Sequence, residues 1–331
     1  MKSLILPPLS ALYSAVTRTR LSLYQRGTFR TTKLDRPVIS VGNMTTGGTG
    51  KTPLVEWVAK TIAGAGKKVC ILTRGYGRQH PDRQVVVSDG RAILATPTEA
   101  GDEPYLLATN LLGQAAVICN ADRVSAARDA IEVFGTECFV LDDGFQHLRL
   151  ARDLNIVTVD ATNPWGGGQL LPHGRLREPL SGLSRADCVV LTRCDQAGDL
   201  DPLREQIRSF IRRRPLFEST MSPRRPPLAS GPVAAFCAVG NPNSFFEQLR
   251  NSGSELVLEK AFRDHHAYTQ KDVDDLTDAA IRAGAKSLIT TAKDAVKLRS
   301  LRFSLPYSVF EIEIAIKDEE ALRRLILEAT V

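Results

Sequence analysis

Gly47, Gly48, Gly50, Lys51 and Thr52 crowd into the run GGTGKT, and residues of those types in that order can hold phosphate. Glycines let backbone N–H groups turn toward a polyphosphate, the Lys51 ammonium reaches its terminal groups, and the Thr52 hydroxyl suits a magnesium ion. Thr45 stands where the strict spacing has glycine, so the reading rests on GGTGKT and its context. The alternative is an ordinary glycine-rich turn capping a helix.

Carboxylates recur where such a loop needs them. LDDGFQH ends an apolar run in Asp142 and Asp143, candidates to hold Mg²⁺ or its waters, or simply to cap the next turn. AGDEPYLL puts Asp102 and Glu103 at a helix start, where they cap the dipole or accept a hydroxyl proton. RGYG offers Arg74 to a phosphate or to a tight turn. The long loop WGGGQLLPHGRLREP brings Arg175, Arg177 and Glu178, suited to an anionic substrate or to the metal. FRDHHAYT joins Asp264, His265 and His266, and adjacent histidines cannot share a helix face, which excludes an HExxH-type metal site. TAKDAVKL carries Lys293 and Lys297 on one helical side, presenting charge toward a cleft. LTRCD resembles the TKxD element with which GTPases read guanine, with Arg193 in place of lysine.

The elements that must position these groups follow from periodicity. Val38–Val41 is a β-branched run before the glycine loop, and Leu54, Val55, Val58, Ala59 and Ile62 share one helical face after it. Short apolar runs alternate with helical patterns to about position 195, the rhythm of a mostly parallel α/β sheet with helices on both faces, P-loop NTPase-like. In such sheets ligands gather at the carboxyl ends of strands. The Arg-, Pro- and Ser-rich stretch 212–232 marks a boundary. The expected organisation is an N-terminal amphipathic segment at 1–24, a core domain at 25–218 and a smaller α/β domain at 219–331.

The chain of 331 residues is 43% hydrophobic, enough for two packed domains and against disorder. A net charge of +6 favours anionic partners without choosing among them. Five of the six cysteines lie in apolar runs and none forms CxxC, which argues against a zinc site or disulfide framework and points to the cytosol. Basic residues are not interleaved with aromatics, against nucleic-acid binding. After Pro7 and Pro8, Leu9, Leu12, Tyr13 and Val16 recur at helical spacing with Arg18, Arg20, Arg26 and Arg30 behind them. That segment either lies on an anionic membrane surface or docks on its own domain.

Taken in order, GNMTTGGTGKTP, RGYG, AGDEPYLLA, LDDGFQH, LPHGRLREP, GNPNSFF, FRDHHAY and TAKDAVKL resemble the tetraacyldisaccharide 4′-kinase family of lipid A biosynthesis, over about residues 37–298. The resemblance implies transfer of phosphate from ATP, with Mg²⁺, to the 4′-hydroxyl of a membrane-embedded acylated glucosamine disaccharide 1-phosphate. It implies a peripheral enzyme on the cytoplasmic face of the bacterial inner membrane, against an anionic surface, with no obligate protein partner. It assigns the nucleotide to Thr45, Gly47, Gly48, Thr49, Gly50, Lys51, Thr52, Arg74, Gln146 and Arg177, and the metal to Thr52, Asp142, Asp143 and Glu178. It makes Asp102 and His265 the proton-transfer pair, with Asp264 orienting the histidine, which requires the smaller domain to close over the larger. Ala292, Ser244 and Gln169 depart from residues common in the family, all outside the phosphate cradle and the pair. The rivals are a GTPase reading guanine through TRCD and an ATP-dependent ligase on a small acid.

Overall fold

A computed structural model describes residues 2–224 and 231–331, with side chains described from residue 6. Met1 of the expected N-terminal segment, the side chain of Leu4, and residues 225–230 of the expected boundary lie outside what is described.

Helix α1 (Lys2–Gln25) runs without a break through Pro7 and Pro8. The core domain then follows as β1 (Val38–Asn43), α2 (Lys51–Gly64), β2 (Val69–Thr73), β3 (Val85–Ser88), α3 (Pro97–Ala100), α4 (Asp102–Asn110), β4 (Ala115–Cys119), α5 (Arg123–Phe134), β5 (Cys138–Asp142), β6 (Leu154–Asp160), β7 (Cys188–Thr192), α6 (Asp201–Ile211) and β8 (Leu216–Pro223). The smaller domain holds β9 (Val233–Cys237), α7 (Pro242–Asn251), β10 (Leu256–Ala261), α8 (Gln270–Arg282), β11 (Ser287–Thr291), α9 (Ala292–Ala295) and β12 (Tyr307–Phe310). β13 (Ile312–Ile316) and α10 (Glu319–Glu328) end the chain.

Nine strands form one sheet in the order β13-β8-β7-β6-β1-β5-β2-β4-β3, parallel except for the two antiparallel edges β3 and β13. Strands such as VCILT and CFVLD are buried along their whole length because helices cover both faces, which is why they read as unbroken apolar runs. Alternate residues of β1 go to opposite layers: Ile39 and Val41 pack with α2, α4 and α10, whereas Val38 packs with α5. A second parallel sheet, β10-β9-β11-β12, has α7 on one face and α8 on the other.

The expected boundary after residue 218 falls inside β8, which belongs whole to the large sheet. The expected smaller domain also loses its last strand and helix. After β12 the chain turns at Glu311, β13 pairs antiparallel with β8, and Ile314, Ile316, Leu322 and Ile326 complete the core around α2. Tyr307–Ile314, YSVFEIEI, reads as one strand, and only its two successive partners split it between two sheets. The domains are thus joined by a two-stranded ribbon, closed where Arg224 N–H donates to Glu311 O at 2.9 Å.

Candidate active site

The phosphate loop joins β1 to α2, and its shape is fixed from below. Gly50 sits at φ 77°, where a Cβ would stand 2.5 Å from Met221 Cε, and Gly47 sits at φ 115°. At that φ any side chain is strained, and the Met221 methyl would also have to move aside. Asn43 Nδ2 donates to Thr49 Oγ1 at 2.9 Å, Thr192 Oγ1 donates to Thr49 O at 3.0 Å, and the Thr49 N–H bonds back to Gly47 O at 3.1 Å. The polar groups of Thr49, which the resemblance assigns to the nucleotide, are thus also used inside the loop. Thr45 is buried and bridged to Leu176, and the Thr46 N–H donates to Arg175 O at 2.8 Å, so the 165–179 loop braces the glycine loop. Lys51 opens α2, and its Nζ lies 3.7 Å from Asp143 Oδ1.

β5 delivers the two aspartates into different surroundings. Asp142 is buried, takes a 2.9 Å hydrogen bond from Thr73 Oγ1, and is pushed up to about 6 by burial, with the charges of Asp143 and Glu103 adding. Asp143, at φ 54°, feels a similar burial penalty, but Lys51 and Arg177 outweigh it and hold its carboxyl below the usual range. Arg177 donates to both its oxygens, at 2.8 and 2.6 Å.

Glu178 does not join them. Its carboxylate pairs with Arg185 at 2.8 Å and accepts from Gln146 Nε2 at 2.9 Å, and no group of three metal-ligating side chains exists among the described residues. Glu178, expected from the resemblance to serve the metal, here anchors Gln146, which also donates to Asn43 O at 2.9 Å. Arg74 is exposed beyond the end of β2. Arg123, which sequence reasoning missed, is buried; burial lowers its pKa while Asp142 and Asp143 raise it, and its Nε has no partner among the described residues. An Asp-Arg pair at a helix start just after a strand was the available signal.

The third group spans the two domains. Gly101, at φ 88° with Tyr76 O 2.7 Å from where a Cβ would sit, starts α4, which presents Asp102 and Glu103. From the smaller domain, His265 at φ 59° brings its Nδ1 to 3.5 Å from Asp102 Oδ2. Lys293 Nζ donates to Glu103 Oε1 at 3.1 Å, and Lys297 Nζ lies 3.8 Å from Asp102 Oδ2 and 2.9 Å from Asp294. Asp264 is half exposed and 4.0 Å from His265 Nε2, beyond hydrogen-bond reach, so its expected orienting contact is not made.

A sequence model of the tetraacyldisaccharide-1-P 4′-kinases, LpxK, matches residues 2–330. The chain belongs to that family. The tetraacyldisaccharide 4′-kinase of Geobacter sulfurreducens is 45% identical over 87% of this chain and 82% of its own length. The kinase of that name from Geobacter metallireducens is 42% identical over 97% and 96%. Among solved structures, LpxK from Aquifex aeolicus in complex with ATP superposes with a TM-score of 0.79 at 32% identity, over 98% of both chains. The activity is accordingly ATP-dependent phosphorylation of a tetraacyldisaccharide 1-phosphate at its 4′-hydroxyl, a step of lipid A biosynthesis.

Packing bears on two sequence-level alternatives in this 4′-kinase. Arg193 of TRCD, at φ 57°, is buried in an ion pair with Asp160, so it is not available to read a base in the TKxD manner. A cavity of about 460 Å³ lies beside these strand ends, lined by Thr162, Trp165 and Gln196 among others. Helix α1 docks on the kinase core: Ser10 Oγ donates to Leu170 O at 2.9 Å, Tyr13 Oη to Arg177 O at 2.9 Å, and Arg20 to Gln146 O at 3.2 Å. Its neighbouring face is free, with Leu9, Leu12 and Val16 at 44%, 62% and 57% exposure. No helix among the described residues is long and apolar enough to cross a membrane.

Proposed function

We propose that Asp102 takes the proton of the sugar 4′-hydroxyl with His265 supporting it, and that the glycine loop with Lys51 holds the phosphates of ATP. The new bond joins the 4′-oxygen to the γ-phosphorus, the bond from that phosphorus to the bridging oxygen breaks, ADP leaves, and the hydroxyl proton passes to Asp102. The observation that carries this reading is the 3.5 Å approach of His265 to Asp102 from a different domain, beside a loop of phosphate-binding form.

Asp142 and Thr52 are the groups fitted to Mg²⁺. A buried carboxylate raised to about 6 by its own burial and by neighbouring negative charge is a place where a divalent cation relieves the surplus. Bound there with ATP, the ion would neutralise charge on the transferring phosphate. Arg177 keeps Asp143 from competing as an uncompensated second charge. Arg74, exposed past β2, is placed to meet phosphate or the disaccharide from the open side.

The exposed stripe of α1, with Arg18 and Arg26 following, would rest on an anionic bilayer and deliver the lipid headgroup to a core that α1 already grips. This makes the kinase peripheral at the cytoplasmic face of the inner membrane. The test is transfer of labelled phosphate from ATP to tetraacyldisaccharide 1-phosphate in detergent with Mg²⁺. Asp102→Ala and His265→Ala should each lower kcat by on the order of 10²- to 10⁴-fold while ATP still raises the melting temperature. Full activity in Asp102→Ala would remove the residue from this role.

A further inference from the structure

His265 meets a different partner at each ring nitrogen. Nδ1 faces Asp102 Oδ2 at 3.5 Å, and Nε2 faces Lys293 Nζ at 3.3 Å. An ammonium carries three donors and no acceptor, so across that second contact Nε2 must accept. A neutral imidazole protonates one nitrogen only, and the proton then sits on Nδ1, the atom aimed at Asp102.

The other groups around the ring leave this ordering in place. Asp264 would draw the proton to Nε2, but its Oδ1 is 4.0 Å away, beyond hydrogen-bond reach, and is itself 3.9 Å from Lys293. Tyr76, from the core domain, approaches the ring at 5.8 Å between centroids and offers no charge. Lys293 is held in place from both domains: it is 17% exposed, sits on α9, and reaches across to Glu103, the residue beside Asp102.

We propose that Lys293 is a positioning residue that fixes His265 as the Nδ1–H tautomer, so that the imidazole donates to the carboxylate receiving the substrate proton. The inference rests on the reading of Asp102 and His265 as the proton-transfer pair. It also selects the accepting atom. His265 and Lys297 both approach Oδ2 of Asp102, which leaves Oδ1 to take the hydroxyl proton.

The tautomer is read directly in ¹⁵N-histidine-labelled full-length enzyme, without substrate, from long-range ¹⁵N–¹H correlations, the His265 signals being assigned by their loss in His265→Gln. Wild type should show a protonated Nδ1 and an unprotonated Nε2. Lys293→Met keeps the length of the side chain and removes the donor, leaving Asp264 as the charged group nearest Nε2. The proton should move to Nε2, and kcat should fall by on the order of 10- to 100-fold with KM for ATP within about twofold. Lys293→Arg, again donor-only, should restore the Nδ1–H signal and much of kcat. A shift of melting temperature by ATP in each variant certifies the fold. Nε2–H in the wild type, or an unchanged Nδ1–H signal in Lys293→Met, would overturn the assignment. The underlying proton-transfer reading fails separately, through activity retained in Asp102→Ala, because the tautomer is measured on the resting protein.

Discussion

The phosphate loop and the Asp102–His265 pair proposed for proton transfer are built in opposite ways. The loop is local: β1, seven residues with three glycines and the first turn of α2 follow one another in the chain, and buried side chains of β6 and β7 fasten it from beneath. The pair is assembled at a distance, from α4 of the core and a loop of the smaller domain, and its contacts are ion pairs and single hydrogen bonds at a partly exposed seam. A rigid cradle suits the nucleotide, whose phosphates are the same in every cycle. The pair split between domains suits the proposed closure, in which the two halves part to admit a bulky lipid sugar and meet again for the transfer.

Substitutions in the two regions should fail differently, and the largest effect should come from the cradle. Gly50→Val adds a branched side chain at φ 77°, against Met221 and Thr192. It should abolish the ATP-induced rise in melting temperature along with activity. Asp102→Asn should lose activity of comparable order with that thermal shift intact. An ATP shift in Gly50→Val like that of wild type would dissolve the contrast.

Next in size is a test of what the buried carboxylate costs. Asp142 has a folded value of about 6 against an ordinary 3.8, a penalty of about 3 kcal/mol once it is ionised. Because the folded value is the higher one, the penalty is fully present above pH about 6 and disappears below about 3.8. Asp142→Asn, measured without Mg²⁺, should therefore be more stable than wild type in urea at pH 7.5, and the gap should close as pH falls toward 4, while kinase activity is lost. A gap that grows on acidification would reverse the sign of the argument.

The smallest effect on the fold is expected in α1. Leu12→Asp with Val16→Asp alters side chains that face solvent, so stability should change by less than about 0.5 kcal/mol. Partition onto vesicles containing anionic lipid should drop by about tenfold. Equal partition of this variant and wild type would leave α1 as a docking helix alone.

Much of the core was legible because its signals are short-range. Continuous apolar runs announced parallel strands, GGTGKT announced the turn before α2, and LDDG announced a strand ending in acid. The loops 165–179 and 263–269 were legible as sites of chemistry but not in their contacts. The partners of Glu178, Arg185 and Gln146, meet it only through the fold, so spacing does not name them. Arg123 was passed over because a helix-start arginine looks like surface until β5 is laid beside it. The TRCD reading turned on the direction of one side chain, which spacing does not give.

The sequence by itself determined the sheet class, the phosphate loop, the order of motifs and hence the family, all carried by local backbone preference and residue type. The tertiary structure alone decided that the last strand and helix return to the core, that α1 both docks and leaves an apolar stripe open, and that Lys293 stands between Glu103 and His265. Those outcomes depend on which surfaces meet after the chain has crossed between two sheets. Pairing energies between residues far apart in the chain leave no periodic trace along it.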